Sequence, residues 1–448
     1  YLLSSEKFNE ILKKSIISDN EMHSEPLKNK GNIIILKEYQ ENTDKKTVKD
    51  FTAHYKNRYE KLKGLLQGKR NLQNVISINR ALNKKQREEV SVIGLISDKH
   101  ITKNKNILLK LEDPTGSISV LINQNKEDLF EEAYNLTLDE VIGITGSMGN
   151  KIVFSNELIL PGYPIHNEIK KSNEEVYMAV LSDIHVGSTM FLEEEFKKFI
   201  NWTKGNEGNE EQKKIVKKLK YIFIVGDLVD GIGIYPGQED ELNILDIKDQ
   251  YSKFTELIKE IRPDINIIIC PGNHDAVRIA EPQPKISKEL TKSLWDLPNV
   301  TMLTNPATVN IHSNEKEEGF DILLYHGYSL DYYINNIDKV RNGGGYDKPE
   351  VAMKYLLSKR HLAPSHGSSL FIPGKEDHLV IEKIPDFFLM GHVHKSGIDQ
   401  AGKTTLICGS CWQSITPFQE KVGHKPETSK VQLVNLQTRK IKVMNFGK

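Results

Sequence analysis

Residues 221–230, YIFIVGDLVD, decide the fold of this chain, because a strongly apolar run ends abruptly in Gly226-Asp227. A buried strand that ends in a polar side chain is typical of an α/β sheet, which presents such side chains at its carboxyl edge. On its own, Gly-Asp after a strand is a common turn signal. The interpretation therefore depends on how often the pattern recurs along the chain.

The same pattern occurs four more times. The apolar runs and the polar blocks that end them are YMAVLS with Asp183-Ile184-His185, INIIICP with Gly272-Asn273-His274-Asp275, DILLY with His326-Gly327, and DFFLM with Gly391-His392-Val393-His394. Each block alone predicts no more than a turn, a capped loop or a buried histidine. Five strands that end in Asp, Asn and His together predict a metal centre at one edge of a sheet.

The residue types fit two hydrolytic metal ions. Two such ions about 3.5–4 Å apart share a carboxylate, and Asp227 is the candidate for that bridge. Asp183 with His185, and His392 with His394, have the spacing at which alternate residues of an extended segment share a face. A nitrogen and oxygen shell without cysteine favours Mn²⁺, with Fe²⁺, Zn²⁺ or Co²⁺ as alternatives, over Mg²⁺ or Ca²⁺.

These blocks resemble the calcineurin-like metallophosphoesterase superfamily, whose pattern is D-x-H, G-D-x-x-D, G-N-H-D/E, a later His and G-H-x-H. The resemblance implies an α/β fold, a two-sheet αββα sandwich. It also implies that His274 faces the scissile phosphate, where it stabilises developing charge or protonates the leaving oxygen. A water that bridges the two metals would attack phosphorus in line. The implied ligands are Asp183, His185, Asp227 and His394 for one metal, and Asp227, Asn273, His326 and His392 for the other.

The 448 residues exceed the usual size of one domain. From Val90 to Leu160 the pattern changes to five short alternating segments with a helical insert near Glu127 to Tyr134, which predicts a small OB-type barrel. The turn LEDPTG at residues 111–116 is similar to one in nucleic-acid-associated OB barrels. Aromatic residues are almost absent from these strands, so we favour protein docking over single-strand binding for the barrel.

The formal net charge is zero, but the charges are unevenly distributed. Residues 45–87 contain thirteen lysines and arginines and two acids, a net charge of +11. Either this stretch contacts phosphates, or its lysine stems cover apolar surface on a solvated helix. The sequence leaves both open. The helix predicted there has an apolar face at helical spacing, formed by Phe51, Tyr55, Tyr59, Leu62 and Leu66.

The composition bears on the compartment. No run approaches 18 consecutive apolar residues, so the sequence predicts no membrane span. The cysteines are Cys270, Cys408 and Cys411. The C-x-x-C pair has no second pair to complete a zinc site, which favours a structural role in a reducing cytosol.

A barrel of this type ahead of an intact phosphoesterase domain resembles the small subunits of archaeal DNA polymerase D. The resemblance covers residues 31–448 and includes Arg278 after the G-N-H-D block and Arg360-His361 in the segment KRHLAP. It implies a 3′→5′ proofreading exonuclease that acts on DNA beside a large catalytic subunit, in the archaeal cytoplasm with the nucleoid. Arg278, Arg360 and His361 either contact substrate phosphates or only hold loops.

The predicted division has three parts: a helical and linker segment at residues 1–30, an OB-fold domain with its preceding basic helix at 31–165, and a calcineurin-like phosphodiesterase domain at 166–448. Two other functions remain open. One is a phosphomonoesterase of small molecules or phosphoproteins, against which the barrel argues. The other is a catalytically idle scaffold that binds the large polymerase subunit, against which the intact ligand set argues.

Overall fold

The computed structural model of the chain describes residues 33–165 and 168–447, so the helix predicted within residues 1–30 lies outside the described residues. The strands in chain order are β1 Ile33–Glu38, β2 Glu89–Ile101, β3 Ile107–Asp113, β4 Gly116–Ile122, β5 Val141–Met148, β6 Ile152–Ile159, β7 Tyr177–Leu181, β8 Leu219–Val225, β9 Asn266–Cys270, β10 Val300–Met302, β11 Ala307–Ile311, β12 Phe320–Leu324, β13 Phe387–Met390, β14 Gly397–Ala401, β15 Thr404–Cys408, β16 Lys430–Asn435 and β17 Ile441–Asn445. The α-helices in chain order are α1 Val48–Gln67, α2 Ile78–Leu82, α3 Glu127–Tyr134, α4 Glu193–Thr203, α5 Glu210–Lys217, α6 Ile247–Lys259, α7 Lys288–Trp295, α8 Leu330–Asn336, α9 Asp338–Asn342, α10 Pro349–Lys359 and α11 Pro417–Val422.

The amino-terminal part of the described chain contains a closed five-stranded barrel in the strand order β2-β3-β4-β6-β5. The pairing of β2 with β5 closes it, and α3 connects β4 to β5. Alternate strand residues such as Leu109, Val120 and Ile144 point inward and form the barrel core. The predicted OB-type barrel is confirmed.

The rest of the described chain builds two six-stranded sheets. One has the order β10-β9-β8-β7-β16-β17 and the other β1-β11-β12-β13-β15-β14. In the first sheet, β7, β8, β9 and β10 run parallel to one another. In the second sheet, β12, β13 and β15 run parallel to one another. Both edges of the second sheet are antiparallel, whereas the first sheet has one antiparallel edge, at β17, and one parallel edge, at β10.

Both faces of the central strands are buried, because side chains alternate between two apolar layers. In β8, Ile222 and Ile224 contact the core beneath α4–α7, whereas Phe223 and Val225 contact the core between the sheets. In β13, Phe388 faces the core beneath α8–α10. Helices therefore cover both outer faces, and the predicted αββα sandwich is confirmed.

Strand β1 belongs to the sandwich and not to the barrel. It pairs antiparallel with β11, from Ile33 opposite Ile311 to Glu38 opposite Ala307. The sequence-based division had grouped it with the barrel, because a short apolar run carries no local signal of its partner strand. The other predicted domain limits remain predictions.

Helix α1 joins the barrel to the sandwich. Its buried side chains Tyr59, Leu62 and Leu66 pack in one cluster with barrel residues and with Val380 of the sandwich. Arg58, in the middle of the predicted basic surface, is buried and paired with Asp377 at 2.7 Å. At least this charge of the basic stretch therefore serves contact between domains.

No helix in residues 33–165 or 168–447 is long and apolar enough to cross a membrane. All three cysteines are buried and unpaired. Cys408 Sγ lies 3.5 Å from the carbonyl oxygen of Gly391 and Cys411 Sγ lies 3.3 Å from that of Gln413, so each thiol contacts backbone.

Candidate metal centre

The predicted ligands lie where β7, β8, β9, β12 and β13 end. Strands β7, β8 and β9 are parallel in one sheet, and β12 and β13 are parallel in the other. Parallel strands present their following loops at the same edge, so the loops of the two sheets meet. The seven side chains brought together there are Asp183, His185, Asp227, Asn273, His326, His392 and His394.

One group of ligand atoms contains Asp183, His185 and His394. The Nε2 atoms of His185 and His394 are 3.0 Å apart, and His394 Nε2 lies 3.6 Å from Asp183 Oδ1. Two nitrogens bound at right angles to one ion, with bonds of about 2.1 Å, are also separated by about 3 Å. The two rings therefore converge in the way that ligands of one cation do.

A second group contains Asn273, His326 and His392. His326 Nε2 lies 3.0 Å from Asn273 Oδ1, and His392 Nδ1 lies 2.9 Å from the same oxygen. One amide oxygen and two ring nitrogens thus meet at one point. This donor set suits a divalent transition metal.

Asp227 lies between the two groups. Its Oδ2 is 3.2 Å from His326 Nε2 in the second group and 3.8 Å from His185 Nε2 in the first. Its Oδ1 accepts the backbone N–H of His274 at 2.8 Å. The carboxylate is therefore fixed with one oxygen facing both groups, as a bridging ligand requires.

Three histidines are oriented through the ring nitrogen that faces away from the centre. His326 Nδ1 lies 2.9 Å from the carbonyl of Val225, and His185 Nδ1 lies 2.9 Å from Asp230 Oδ1. His392 Nε2 lies 2.9 Å from Asp331 Oδ2. Such partners fix the tautomer and leave the other nitrogen available to a metal.

Asp230 and Asp331 orient these histidines, a role that was not predicted from the sequence. Asp230 is held in turn by the side-chain amides of Gln413, at 2.8 Å, and Gln238, at 3.0 Å. As the second acid of G-D-x-x-D it carried a signal that could have been used. Asp331 lies near the start of α8 and carried none.

The ligands depend on an unusual backbone. Asp183, His185, Asp227, His392 and His394 have φ angles of 53°, 55°, 52°, 74° and 54°. This left-handed conformation is uncommon outside glycine and costs about 1–3 kcal/mol per residue. The extended segments that the sequence analysis invoked for D-x-H and H-x-H are therefore wrong, because the chain turns sharply at each ligand.

Two glycines allow the ligands to approach. A Cβ at Gly272 would lie 2.1 Å from Asp227 Oδ1, and one at Gly226, whose φ is +81°, would lie 2.2 Å from His326 Nδ1. Both distances are far inside van der Waals contact. The glycines of G-D and G-N-H-D are therefore required by the packing of the centre.

The pKa values of the clustered acids and histidines indicate that some of these side chains carry protons that a bound cation would replace. Burial opposes ionisation of Asp227, but His326 and His274 outweigh it and hold the pKa of this carboxyl well below its usual value. Burial also disfavours the charged form of His326, yet Asp227 raises its pKa to about 10. Burial and the charge of Asp227 raise the pKa of Asp183, although His326 opposes this. A divalent ion that binds here must displace such protons.

Comparison with known proteins gives the family. A profile described as calcineurin-like phosphoesterase matches residues 177–396. A DNA polymerase II small subunit from Methanothermobacter thermautotrophicus is 38% identical over 395 residues, which cover 88% of this chain and 79% of that protein. The chain belongs to the DNA polymerase II small-subunit family. The predicted resemblance to small subunits of archaeal DNA polymerase D is confirmed.

A second relative, the DNA polymerase II small subunit of Methanocaldococcus jannaschii, is 38% identical over 87% of this chain. The alignment spans only 64% of that protein's length. Among solved structures, an asparaginyl-tRNA synthetase from Pyrococcus horikoshii matches 21% of this chain and 24% of its own, with 18% identity and a TM-score of 0.18. That score is too low to carry an argument.

The phosphoesterase domain of this polymerase small subunit implies divalent metal ions, and its side chains fit them. Three sets of residues each offer three ligand atoms, and within each set these atoms lie within 4.8 Å of one another. Their members are carboxylates and imidazoles, which is the chemistry of hydrolytic metal sites. The sets are Asp183-His185-His394, Asp183-Asp227-His326 and His185-Asp227-His274.

His274 lies beside the seven predicted ligands and is oriented, as His326 is, by a backbone carbonyl. Its Nδ1 lies 2.8 Å from the backbone carbonyl of Asp230, which leaves Nε2 available. Its ring packs edge-on against that of His185, with centroids 4.7 Å apart. Burial lowers the pKa of His274, against the charge of Asp227.

The three other predicted site residues make contacts within the small subunit. Arg360 is buried, and its Nε donates to the carbonyl of Ile381 at 2.6 Å. His361 Nε2 is 2.9 Å from Asp377. Arg278 donates to the carbonyl of Pro282 at 2.7 Å and pairs with Glu41. These contacts fit the alternative in which the residues hold loops.

Proposed function

We propose that this chain is the 3′→5′ proofreading exonuclease subunit of an archaeal replicative DNA polymerase. The observation that supports it most is the convergence of all seven predicted metal ligands at one edge of the sandwich. The DNA polymerase II small subunits to which the chain is similar support DNA as the substrate and a large catalytic subunit as the partner. The donor set supports Mn²⁺.

We assign two roles to the residues of the centre: some would bind the metal ions, and His274 would act on the phosphate. Asp183, His185, Asp227 and His394 would hold one divalent ion, and Asp227, Asn273, His326 and His392 the other. When bound, the two ions supply Lewis acidity that neutralises phosphate charge and activates water. The orienting contacts of Asp230 and Asp331 keep the histidine rings in place for that task.

His274 is proposed to act on the substrate. Because its Nδ1 is directed at the Asp230 carbonyl, the imidazolium form can donate from Nε2 to the leaving oxygen. The same ring can stabilise negative charge that develops on the phosphate. Removal of a general acid lowers the rate by about 10²–10⁴-fold, so His274→Ala is expected to lose activity by that factor while it retains its metal.

The test is digestion of single-stranded DNA labelled at the 5′ end, with Mn²⁺ present. A 3′→5′ exonuclease produces a ladder that shortens stepwise, whereas digestion from the other end releases the label as a mononucleotide at once. Asp227→Asn is expected to lose both metal and activity, and His274→Ala activity alone. The matched controls are Asp128→Asn and His100→Ala, both exposed on the barrel, with unchanged digestion.

Two outcomes would favour the other functions. Rapid hydrolysis of phosphomonoesters without cleavage of DNA would indicate a phosphomonoesterase. Metal binding without hydrolysis of any phosphoester, alone or with the large subunit, would indicate an idle scaffold. Full activity of His274→Ala on DNA would contradict the role assigned to that residue.

A further inference from the structure

A cavity of about 480 Å³ opens directly onto the two histidines of the G-H-x-H block. This volume is within the range of about 300–1,000 Å³ typical of small-molecule sites. Besides His392 and His394, its lining includes the aromatic rings of Tyr346 and His424 and the cations Lys395 and Lys425. Neither Tyr346, His424 nor the two lysines serves as a predicted metal ligand.

One wall of the cavity is fixed to His392. The hydroxyl of Tyr346 donates to Asp331 Oδ1 at 2.9 Å, and Asp331 Oδ2 is the partner of His392. A second contact, 3.1 Å from Asn335 Nδ2, holds the same hydroxyl. The Tyr346 ring therefore has a defined position relative to the metal centre.

A second wall of the cavity is fixed to His394. The side-chain amide of Gln419 lies 2.9 Å from His394 Nδ1, and the N–H of Glu427 donates to the His394 carbonyl at 2.8 Å. The segment between Gln419 and Glu427 is thus anchored at both ends on one histidine. It carries His424 and Lys425 into the cavity lining.

The two walls meet through an aromatic pair and an ion pair. The rings of Tyr346 and His424 have centroids 4.2 Å apart and planes tilted by 50°. Lys395 Nζ lies 2.6 Å from Asp347 Oδ1. Lys425 is exposed. The cavity therefore combines aromatic rings with positive charge beside the candidate metal centre. Proteins that bind single-stranded nucleic acid use the same combination.

We propose that this cavity binds the terminal nucleotide of single-stranded DNA, with the base against the Tyr346–His424 pair and a phosphate beside Lys425. The inference rests on the proposed function, because it assigns the subsite that holds the end of the DNA strand next to the metal centre. Stacking is indifferent to the identity of the base, since every base has an aromatic face. A subsite of this kind would therefore accept any unpaired end, as proofreading requires.

The two wall residues make different contributions. Burial lowers the pKa of His424, so at pH 8 its ring is neutral and contributes by stacking. Lys425 contributes charge, and each lost phosphate contact changes the slope of log affinity against log salt by about 0.7 for a single strand. The two effects can be measured separately.

The experiment measures binding of a fluorescein-labelled short oligothymidylate by anisotropy at pH 8 in EDTA, so that no metal contributes. His424→Ala is expected to weaken binding about tenfold without a change in the salt slope, and His424→Phe to restore it. Lys425→Gln is expected to weaken binding and to reduce the salt slope by about 0.7. The matched controls His100→Ala, exposed on the barrel, and Lys421→Gln, exposed on α11, should bind as the wild type does.

Failure of this inference is distinguishable from failure of the proposed function. In a second assay with Mn²⁺, the ratio of kcat/KM for DNA to kcat/KM for a small aryl phosphodiester is expected to fall about tenfold in His424→Ala. Unchanged anisotropy in both cavity variants would overturn the assigned subsite, even if the wild type digested DNA. Absence of digestion by the wild type would instead count against the exonuclease.

Discussion

A buried charge cluster around Asp377 attaches α1 to the sandwich, and a substitution at Asp377 tests how much it contributes. Asp377 Oδ2 lies 2.7 Å from Arg58 Nε and 2.9 Å from His361 Nε2. His54 Nε2 is 3.2 Å from the same oxygen. The side chains of Asp377 and Arg58 are 0% and 2% exposed, so solvent does not screen the pair.

Asp377→Asn keeps the shape of the side chain and leaves Arg58 buried without its counterion. Burial opposes ionisation of Asp377, but His361 and Arg58 outweigh it and hold its pKa well below the usual value. Loss of one partner of a buried pair costs about 3–5 kcal/mol. Each 1.36 kcal/mol is a factor of ten, so amide hydrogen exchange in α1 is expected to accelerate about 100-fold or more.

The control is the exposed pair of Lys204 and Glu260, whose side chains are 28% and 52% exposed. Glu260→Gln should cost less than about 1 kcal/mol and change exchange in α4 and α6 by less than about fivefold. Adding Arg58→Met to Asp377→Asn removes the unpaired charge and should recover much of the protection of α1. Exchange in α1 of Asp377→Asn within about threefold of the wild type would refute the reasoning.

Two further predictions concern the metal centre, and a third concerns His361 in the Asp377 cluster. Asp331→Asn removes the carboxylate that orients His392 and is expected to lower Mn²⁺ affinity about 10–100-fold in a direct titration. His326, whose pKa Asp227 raises to about 10 against burial, must lose a proton to bind an ion. Calorimetry at pH 8 in buffers of different ionisation enthalpy should therefore detect release of about one proton, and an affinity independent of pH between 6 and 9 would contradict this. Burial and Arg58 lower the pKa of His361 to about 4. Because the unfolded chain takes up this proton near pH 6.5 and the folded one only near pH 4, urea unfolding should show a loss of about 3 kcal/mol between those values that is absent in His361→Gln.

The sequence could predict the sandwich because its signals are local. The apolar run at residues 221–225 lies within β8, and the polar block that follows it carries Asp227 to the edge of the sheet. The helical insert at Glu127–Tyr134 has the predicted bounds. Strand β1 could not be placed, because its partner strand β11 is far away in the sequence: Ile33 pairs with Ile311.

The orienting residues show where local patterns end. Asp331 contacts His392 from α8, and Gln413 contacts Asp230 from beyond β15. Neither residue lies in a motif, and only the packed sandwich brings it to its partner. Arg360 and His361 show the reverse case. Their position in a family-like segment suggested substrate contact, whereas the contacts they make are with backbone groups and Asp377.

The backbone conformation of the predicted ligands explains why their motifs can be recognised in the sequence. A parallel strand that simply continued would carry Asp183 and Asp227 beyond the sheet edge, so the chain must turn within one or two residues to aim them at a common point. The φ angles of 53° at Asp183 and 52° at Asp227 produce this turn. The conformation is costly for any residue but glycine, and it persists because the surrounding hydrogen bonds fix it. Thus Asp227 Oδ1 accepts from His274 N–H, and the Asp183 carboxylate accepts from His392 N–H at 3.0 Å. The D-x-H, G-D and G-H-x-H motifs therefore encode a turn as well as a ligand, and the two requirements together leave few alternative sequences.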